Sequence, residues 1–187
     1  RQAMAKPGMP AEELLDMSDK WVLSELARTA AEVTANLDKY ELGLAAEKVE
    51  NFIWDIYCDW YIEICKSRLN GEDAQQADTA RKVLVWVLDK ALKLLHPFMP
   101  FITEEIYQAL PGSAETIMTQ EWPDAGKMTA WPQECADFEV LMDYIKAVRT
   151  IRNDMNVHPA KKTSMTIETA NPCLLYTSPS PRDRSVS

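Results

Sequence analysis

Apolar side chains recur at Leu23, Leu26, Ala30, Val33, Leu37 and Tyr40, a 3-4-3-4-3 spacing. Such a row lies along one face of an α-helix. Ser18 stands where an N-cap is expected ahead of "DKWVLSELARTAAEVTANLDKYE", and Gly43 is the residue type that closes a helix C-terminus. A second helix is predicted over about residues 45–69, "AAEKVENFIWDIYCDWYIEICKSRL". Val49, Phe52, Ile53, Ile56, Trp60 and Ile64 form its inner face, and Asp55, Asp59 and Glu63 lie at steps of four on another side. Asn70–Gly71 is a turn signal. A third helix, about 77–96, carries Val83, Leu84, Trp86, Val87, Leu88, Ala91, Leu92 and Leu95. Apolar on most sides, it is predicted to be the central helix of a bundle.

Two prolines then interrupt the pattern in "LLHPFMPFITEEIYQALP". Pro97 has no N–H to donate and clashes with the preceding turn, so the third helix must stop near His96. Pro100 suits the first turn of a new helix, where its missing donor costs nothing. Glu104 and Glu105 lie early in that helix, where its dipole favours acids. The expectation is a buried helix, a sharp corner and a short helix, with Phe98, Met99, Phe101 and Ile102 pinning the corner into the core. Residues 112–135 hold Trp-Pro twice and no helical period, which predicts an ordered crossing loop whose tryptophans pack. A last helix is expected over about 136–156, with Phe138, Leu141, Ile145, Val148 and Met155 inward. After "HPAKK", the alternation in "TSMTIET" reads as the start of a strand.

Composition adds little to the class and more to the partners. The chain has 187 residues, 47% of them hydrophobic and 26% charged, as in ordinary globular domains. No apolar run approaches the roughly 18 residues of a membrane span. The opening "RQAMAKPGMPAEELL" lacks a signal-peptide core, so a cytoplasmic protein is expected. Cys58, Cys65, Cys135 and Cys173 show no metal spacing and read as buried thiols rather than disulfides. The net charge of −9 argues against nucleic acid as a partner, yet the cations are clustered. Between residues 146 and 162 stand Lys146, Arg149, Arg152, Lys161 and Lys162 against one acid, Asp154. Lys66, Arg68, Arg81 and Lys82 flank "NGEDAQQ".

Catalytic chemistry is not legible. No phosphate-cradling glycine loop, HExxH or GxSxG pattern occurs. The ladder Asp55, Asp59 and Glu63 is open to two readings, a metal site or a solvated, arginine-paired face. His96 similarly reads as a cap on the broken helix end or as a catalytic group. Trp54, Tyr57 and Tyr61 are candidates either for packing or for stacking an edge on a base, whereas Trp60 shares the core face.

The segments "FIWDIYCDWYIEICKSRL", "LLHPFMPFITEEIYQALP", "IMTQEWP" and "IRNDMNVHPAKK" occur in an order and spacing that resembles the anticodon-binding domain of bacterial valyl-tRNA synthetases, over about residues 15–168. The proline-cornered segment is similar in the related class I synthetases for isoleucine and leucine, while "CDWYIE" and "IRNDMNV" are closer to the valine enzymes. The resemblance implies an all-α helical bundle of the class I aminoacyl-tRNA synthetase anticodon-binding type. It would dock on a catalytic domain and grip the anticodon stem and loop of valine tRNA. The parent of such a domain joins valine to its tRNA with ATP and magnesium. The catalytic signature motifs and editing domain lie upstream in that family and a coiled-coil arm lies downstream, so no catalytic residue, cofactor or metal is expected in this chain. Tyr107 stands where the family commonly has Trp, and His158 where proline is usual.

The expected organisation is an unstructured start over 1–14, with Arg1 and Gln2 foreign, a helical anticodon-binding domain over 15–157, the beginning of a further subdomain over 158–172, and a non-native tail over 173–187. The tail "CLLYTSPSPRDRSVS" resembles a frame translation of a sequencing-library adapter. Candidate RNA-binding residues are Lys146, Arg149, Arg152, Asn153 and Asn156 on the last helix, Lys161 and Lys162 beyond it, and Lys66 and Arg68 as a second patch. Arginine pairs bidentately with phosphate and asparagine can reach the edge of an unpaired base. Arg149 and Arg152 have an alternative role, holding the carboxylates of the second helix. Two other identities stay open: the same domain from an isoleucine or leucine ligase, and a helical scaffold that binds protein rather than RNA.

Overall fold

The computed structural model describes residues 8–157. The strand after "HPAKK", the tail, Lys161, Lys162, His158 and Cys173 all lie outside the described residues. The element order is a short 3-10 turn at Glu12–Leu14, α1 (Met17–Asp38), α2 (Leu42–Asn51), a π-helical segment (Phe52–Ile62), α3 (Glu63–Leu69), α4 (Ala74–Leu95), α5 (Pro100–Ala109), 3-10 turns at Ile117–Thr119 and Ala125–Lys127, and α6 (Pro132–Asp154). Among the described residues all regular structure is helical, as expected for an all-α bundle. The chain divides into two compact units, Arg1–Trp131 and Pro132–Ser187.

Asp16, not Ser18, caps α1. Its carboxylate accepts the Asp19 N–H at 2.8 Å and the Asp19 carboxylate accepts the Asp16 N–H at 3.1 Å, a reciprocal capping box. Ser18 sits one position inside the helix and donates its hydroxyl to Asp16 at 2.6 Å. The far end also differs from expectation, because α1 closes at Asp38 and Gly43 lies within α2. The Glu41 N–H reaches the Asn36 carbonyl at 2.8 Å and the Tyr40 N–H reaches Leu37 at 3.0 Å. That is a Schellman closure, with Tyr40 in the left-handed position at φ 60°. Its ring is 88% exposed, so the last member of the predicted apolar row lies in solvent. By contrast every residue from Trp21 to Ala27 is buried, and α1 is as central as α4.

The second predicted helix is one continuous rod over 42–69 with a non-uniform winding. Its backbone stays right-handed at both junctions, Asn51 and Glu63. Over Phe52–Ile62 it winds as a π-helix, whose N–H groups reach back five residues instead of four. The buried positions accordingly step from Phe52 to Tyr57, then to Tyr61 and Cys65. An α-helical period of 3.6 puts Ile56 and Trp60 inside; the wider turn advances the inner face by one residue and leaves both half-buried. Tyr57 donates to the Leu84 carbonyl at 3.0 Å and Tyr61 to the Asp19 carboxylate at 2.6 Å. Both tyrosines are thereby fixed to neighbouring helices and withdrawn from base stacking.

Asp73 caps α4 by accepting the N–H groups of Gln75 and Gln76. From Lys82 to His96 no residue of this stretch is fully exposed, which matches its predicted central place. The corner forms as expected, with Pro100 at the first position of α5. His96 Nδ1 lies 2.7 Å from the Thr103 hydroxyl, and that hydroxyl donates to the Met99 carbonyl at 2.8 Å. The histidine thus joins the two helices across the corner. What pins the corner is different from the prediction: Thr103 and Tyr107 are buried, whereas Met99, Phe101 and Ile102 are exposed and Phe98 is half-buried. Only one face of so short a helix touches α4. Leu92, Tyr107 and Ile117 form a small core there, flanked by Leu88 and Leu110.

The crossing loop is ordered by its tryptophans. Trp122 Nε1 donates to Thr34 at 2.9 Å, and Trp131 Nε1 donates to Glu12 at 2.7 Å while the Trp131 N–H reaches Ser24 at 2.9 Å. Glu104 ties the loop to α5, accepting from the Thr116 hydroxyl at 2.8 Å and the Ile117 N–H at 3.2 Å.

Candidate RNA-binding surface

The sequence of α6 separates its charges along the axis. Glu134, Asp137, Glu139 and Asp143 occupy the first half; Lys146, Arg149 and Arg152 occupy the second, where cations complement the helix dipole and Asp154 is the one acid. Phe138 and Leu141 are buried, and Ile145 and Val148 half-buried, as predicted; Met155 is exposed, against expectation. Lys146, Arg149, Asn153 and Asn156 are all exposed. The spacing of three and four places Lys146, Arg149 and Asn153 on one helical stripe about 10 Å long at 1.5 Å per residue, and Asn156 follows two residues beyond the end of α6. Arg152 is half-buried because it falls seven residues after Ile145, on the apolar side of the same helix. Lys146 Nζ lies 3.5 Å from Asp143, an exposed pair that is weak in water.

The "IRNDMNV" segment has a structural reason for its asparagine. The Val157 N–H bonds the Arg152 carbonyl at 2.8 Å and the Asn156 N–H bonds Asn153 at 3.0 Å, closing α6 as a Schellman motif. Asn156 takes the left-handed position at φ 51°, which asparagine tolerates better than other side-chain-bearing residues.

The second predicted patch does not hold as a pair. Arg68 is 9% exposed and its guanidinium binds Asp19 at 2.7 Å and Asp16 at 2.9 Å. It links α3 to the capping box of α1 and is not presented to a phosphate. Burial by itself would lower its pKa, but the hydrogen bond it donates to Asp19 and the charges of Asp16 and Asp19 outweigh that and raise it. Asp19 is fully buried; burial pushes its carboxyl above the ordinary range, with Arg68 and Tyr61 pulling the other way. Cys65, beside Tyr61, is a buried thiol pushed up to about 12 by desolvation, hence inert. Lys66 stays exposed, paired with Glu63 one turn earlier.

Asp55, Asp59 and Glu63 are exposed, and among the described residues no three His, Cys, Asp or Glu side chains converge to hold a metal ion. The ladder is a solvated face. Of the aromatic candidates, Trp54 alone is presented outward, 61% exposed on the π-helical segment just ahead of Asp55. A cleft lined by Ala31, Thr34, Asp38, Trp122, Asp124 and Lys127 carries more acids than cations, the wrong sign for a phosphate. Among the described residues no helix is long and apolar enough to cross a membrane.

The model of the anticodon-binding domain of tRNA ligases matches residues 19–167. The chain belongs to that family. It is 44% identical to the valine–tRNA ligase of Bacillus licheniformis over 174 residues, which cover 90% of this chain and 20% of that protein. Over 160 residues it is 46% identical to the valine–tRNA ligase of Carboxydothermus hydrogenoformans, covering 86% of this chain and 18% of that protein. The enzyme of Bacillus subtilis is 41% identical over 172 residues. The anticodon-binding chain thus spans about a fifth of the length of the curated relatives it matches. The all-α fold agrees with this membership.

Of the α6 candidates, Lys146, Arg149, Asn153 and Asn156 are exposed and Arg152 is half-buried, while the burial of Arg68 was not expected. The signal was present in Asp16 and Asp19, two acids at cap spacing, yet nothing in sequence brings residue 68 to residue 19. Sequence reasoning also left the cations of α4 out of the candidate set.

Proposed function

We propose that this chain recognises the anticodon stem and loop of valine tRNA as part of a cytoplasmic valine–tRNA ligase, a larger enzyme that attaches valine to its tRNA with ATP. The observation that carries the reading is the family match across 19–167 together with relatives of that one specificity. The exposed polar groups late in α6 and just beyond it support it: Lys146 and Arg149 supply phosphate partners, and Asn153 and Asn156 supply amides that accept and donate to an unpaired base edge. Lys66 adds a separate exposed cation on α3.

The described residues do not fit ATP or magnesium, since they offer neither a cluster of metal ligands nor a glycine-rich phosphate loop. No chemical step is therefore assigned to them, and the role of this chain is to bind and orient. The catalytic domain of the parent is the second partner. Phe101, Ile102 and Ile106, exposed along α5, and Met99 just before it are apolar groups suited to packing against a neighbouring domain.

The test is a titration of the full chain, its helicity established by circular dichroism, with transcribed valine tRNA at two salt concentrations. Isoleucine tRNA and valine tRNA with an exchanged anticodon serve as controls. Preference for the native anticodon, weakened by salt, is expected. Equal binding to all three would reduce the role to an electrostatic grip on the stem, and no binding would refute RNA recognition by this chain on its own.

A further inference from the structure

The chain is acidic as a whole, at −9, but α4 is cationic. It carries Arg81, Lys82, Lys90 and Lys93 against two carboxylates, Asp78 and Asp89. Lys93 is buried and spent on Asp89 at 3.1 Å. The other three cations border one side of the helix. Lys82, Trp86 and Lys90 follow at steps of four, which stacks them in a row, and Arg81 stands beside the start of that row.

The state of each side chain matters more than the count. Arg81 is exposed and takes part in no ion pair among the described residues. Lys82 is paired only with Asp78 at 2.6 Å, both ends in water, where such a pair contributes little and is readily exchanged for a phosphate. Lys90 Nζ lies 5.6 Å from the centre of the Trp86 ring and 3.8 Å from Asp89. The indole face restrains the ammonium without neutralising it. Arg81 to Lys90 spans nine residues, about 13 Å at 1.5 Å per residue. One strand of a duplex carries a phosphate about every 3.4 Å of axis, so the row matches a few successive charges.

We propose that Arg81, Lys82 and Lys90, with Trp86 as the platform for Lys90, form a second RNA-contact surface that holds the phosphate backbone of a structured RNA. It is separate in sequence from the α6 stripe and rests on the reading of this chain as a tRNA binder. The surface is sequence-blind: three cations on a smooth helix side position a backbone and carry no base readout. It adds affinity and salt dependence, while discrimination between tRNAs belongs elsewhere.

The experiment compares the full chain with an Arg81→Gln/Lys82→Gln/Lys90→Gln variant and with Arg81→Glu alone, by filter binding to transcribed valine tRNA between 50 and 200 mM salt. Arg81→Glu keeps the comparison sound if the triple variant folds poorly, because an exposed side chain that joins no ion pair among the described residues is not needed for folding. A Lys146→Gln/Arg149→Gln variant runs beside them. The triple variant is expected to bind at least tenfold more weakly at 50 mM salt and to flatten the logarithmic salt slope by about two, as the loss of two to three phosphate contacts requires. Arg81→Glu is expected to weaken binding severalfold, and neither variant is expected to change the preference among tRNAs. Unchanged affinity and slope in both α4 variants, with binding lost in the α6 variant, would overturn the α4 surface and leave tRNA binding standing. Failure of the unmodified chain to bind any tRNA would overturn both.

Discussion

Replacing Tyr61 by Phe removes a single oxygen from a side chain that is fully buried. That oxygen donates to Asp19 Oδ1 at 2.6 Å, and the Arg68 guanidinium donates to the same atom at 2.7 Å. Hydrogen bonds to a charged partner contribute about 1.5–3 kcal/mol, against about 1 kcal/mol between neutral groups. Tyr57 provides an internal standard: it lies four residues earlier on the same π-helical segment, is also buried, and donates to a neutral acceptor, the Leu84 carbonyl, at 3.0 Å. Tyr61→Phe is therefore expected to cost about 2–3 kcal/mol and Tyr57→Phe about 1 kcal/mol. Urea denaturation followed by circular dichroism gives both values from the shift in midpoint at constant slope. The sign with pH is also fixed. The Asp19 carboxyl already titrates above its ordinary value because it is buried, and loss of the Tyr61 donor raises it further. The penalty of Tyr61→Phe should thus be largest at neutral pH and shrink as acid protonates Asp19. Equal costs for the two tyrosines, or a penalty for Tyr61→Phe that does not change with pH, would refute the claim that a buried ionised carboxylate anchors α1 to the π-helical segment.

Three further outcomes follow from the fold. Glu104 titrates below its ordinary value, chiefly through the hydrogen bond from Gln108 and also through those from Thr116 and Ile117. Its contribution is present above the ordinary carboxyl pKa and is lost as pH falls through the depressed one, so melting midpoints of the parent chain and Glu104→Gln should differ at pH 7 and converge in acid. Tyr40→Gly should stabilise the chain by about 1 kcal/mol in a thermal melt, since the left-handed backbone at φ 60° strains any side-chain-bearing residue and the exposed ring offers no packing in return. Phe101→Ser should change stability by less than about 0.5 kcal/mol, because that ring is 92% exposed; a loss above about 2 kcal/mol would show that it packs in the free chain.

Several features were fixed by local chemistry and could be read directly from the residues. Helix existence followed from apolar spacing, the turn at Asn70–Gly71 from its residue types, and the corner between α4 and α5 from Pro97 and Pro100. The clustering of cations late in α6 is likewise a property of consecutive residues, although the expectation put Arg152 on the same polar side as Lys146, Arg149, Asn153 and Asn156, and it is half-buried. All of these depend on interactions within a few residues of one another.

What tertiary structure decided involves partners far apart in sequence. The π-helical winding over Phe52–Ile62 puts Tyr57 and Tyr61 inside in place of Ile56 and Trp60, and the hydroxyls that hold that register bond to Leu84 and Asp19. No periodicity analysis finds this, because the choice between a four- and a five-residue turn depends on which side chains the neighbouring helices can satisfy. Arg68 changed from an RNA candidate to a buried ion pair for the same reason: Asp19 stands forty-nine positions away in the chain and 2.7 Å away in space. Phe101 and Tyr40 failed as core residues because an apolar side chain is buried only where another element arrives to cover it. Sequence determined which segments are helical and where cations cluster; packing determined which faces those helices hide, and so which of the cations stay exposed.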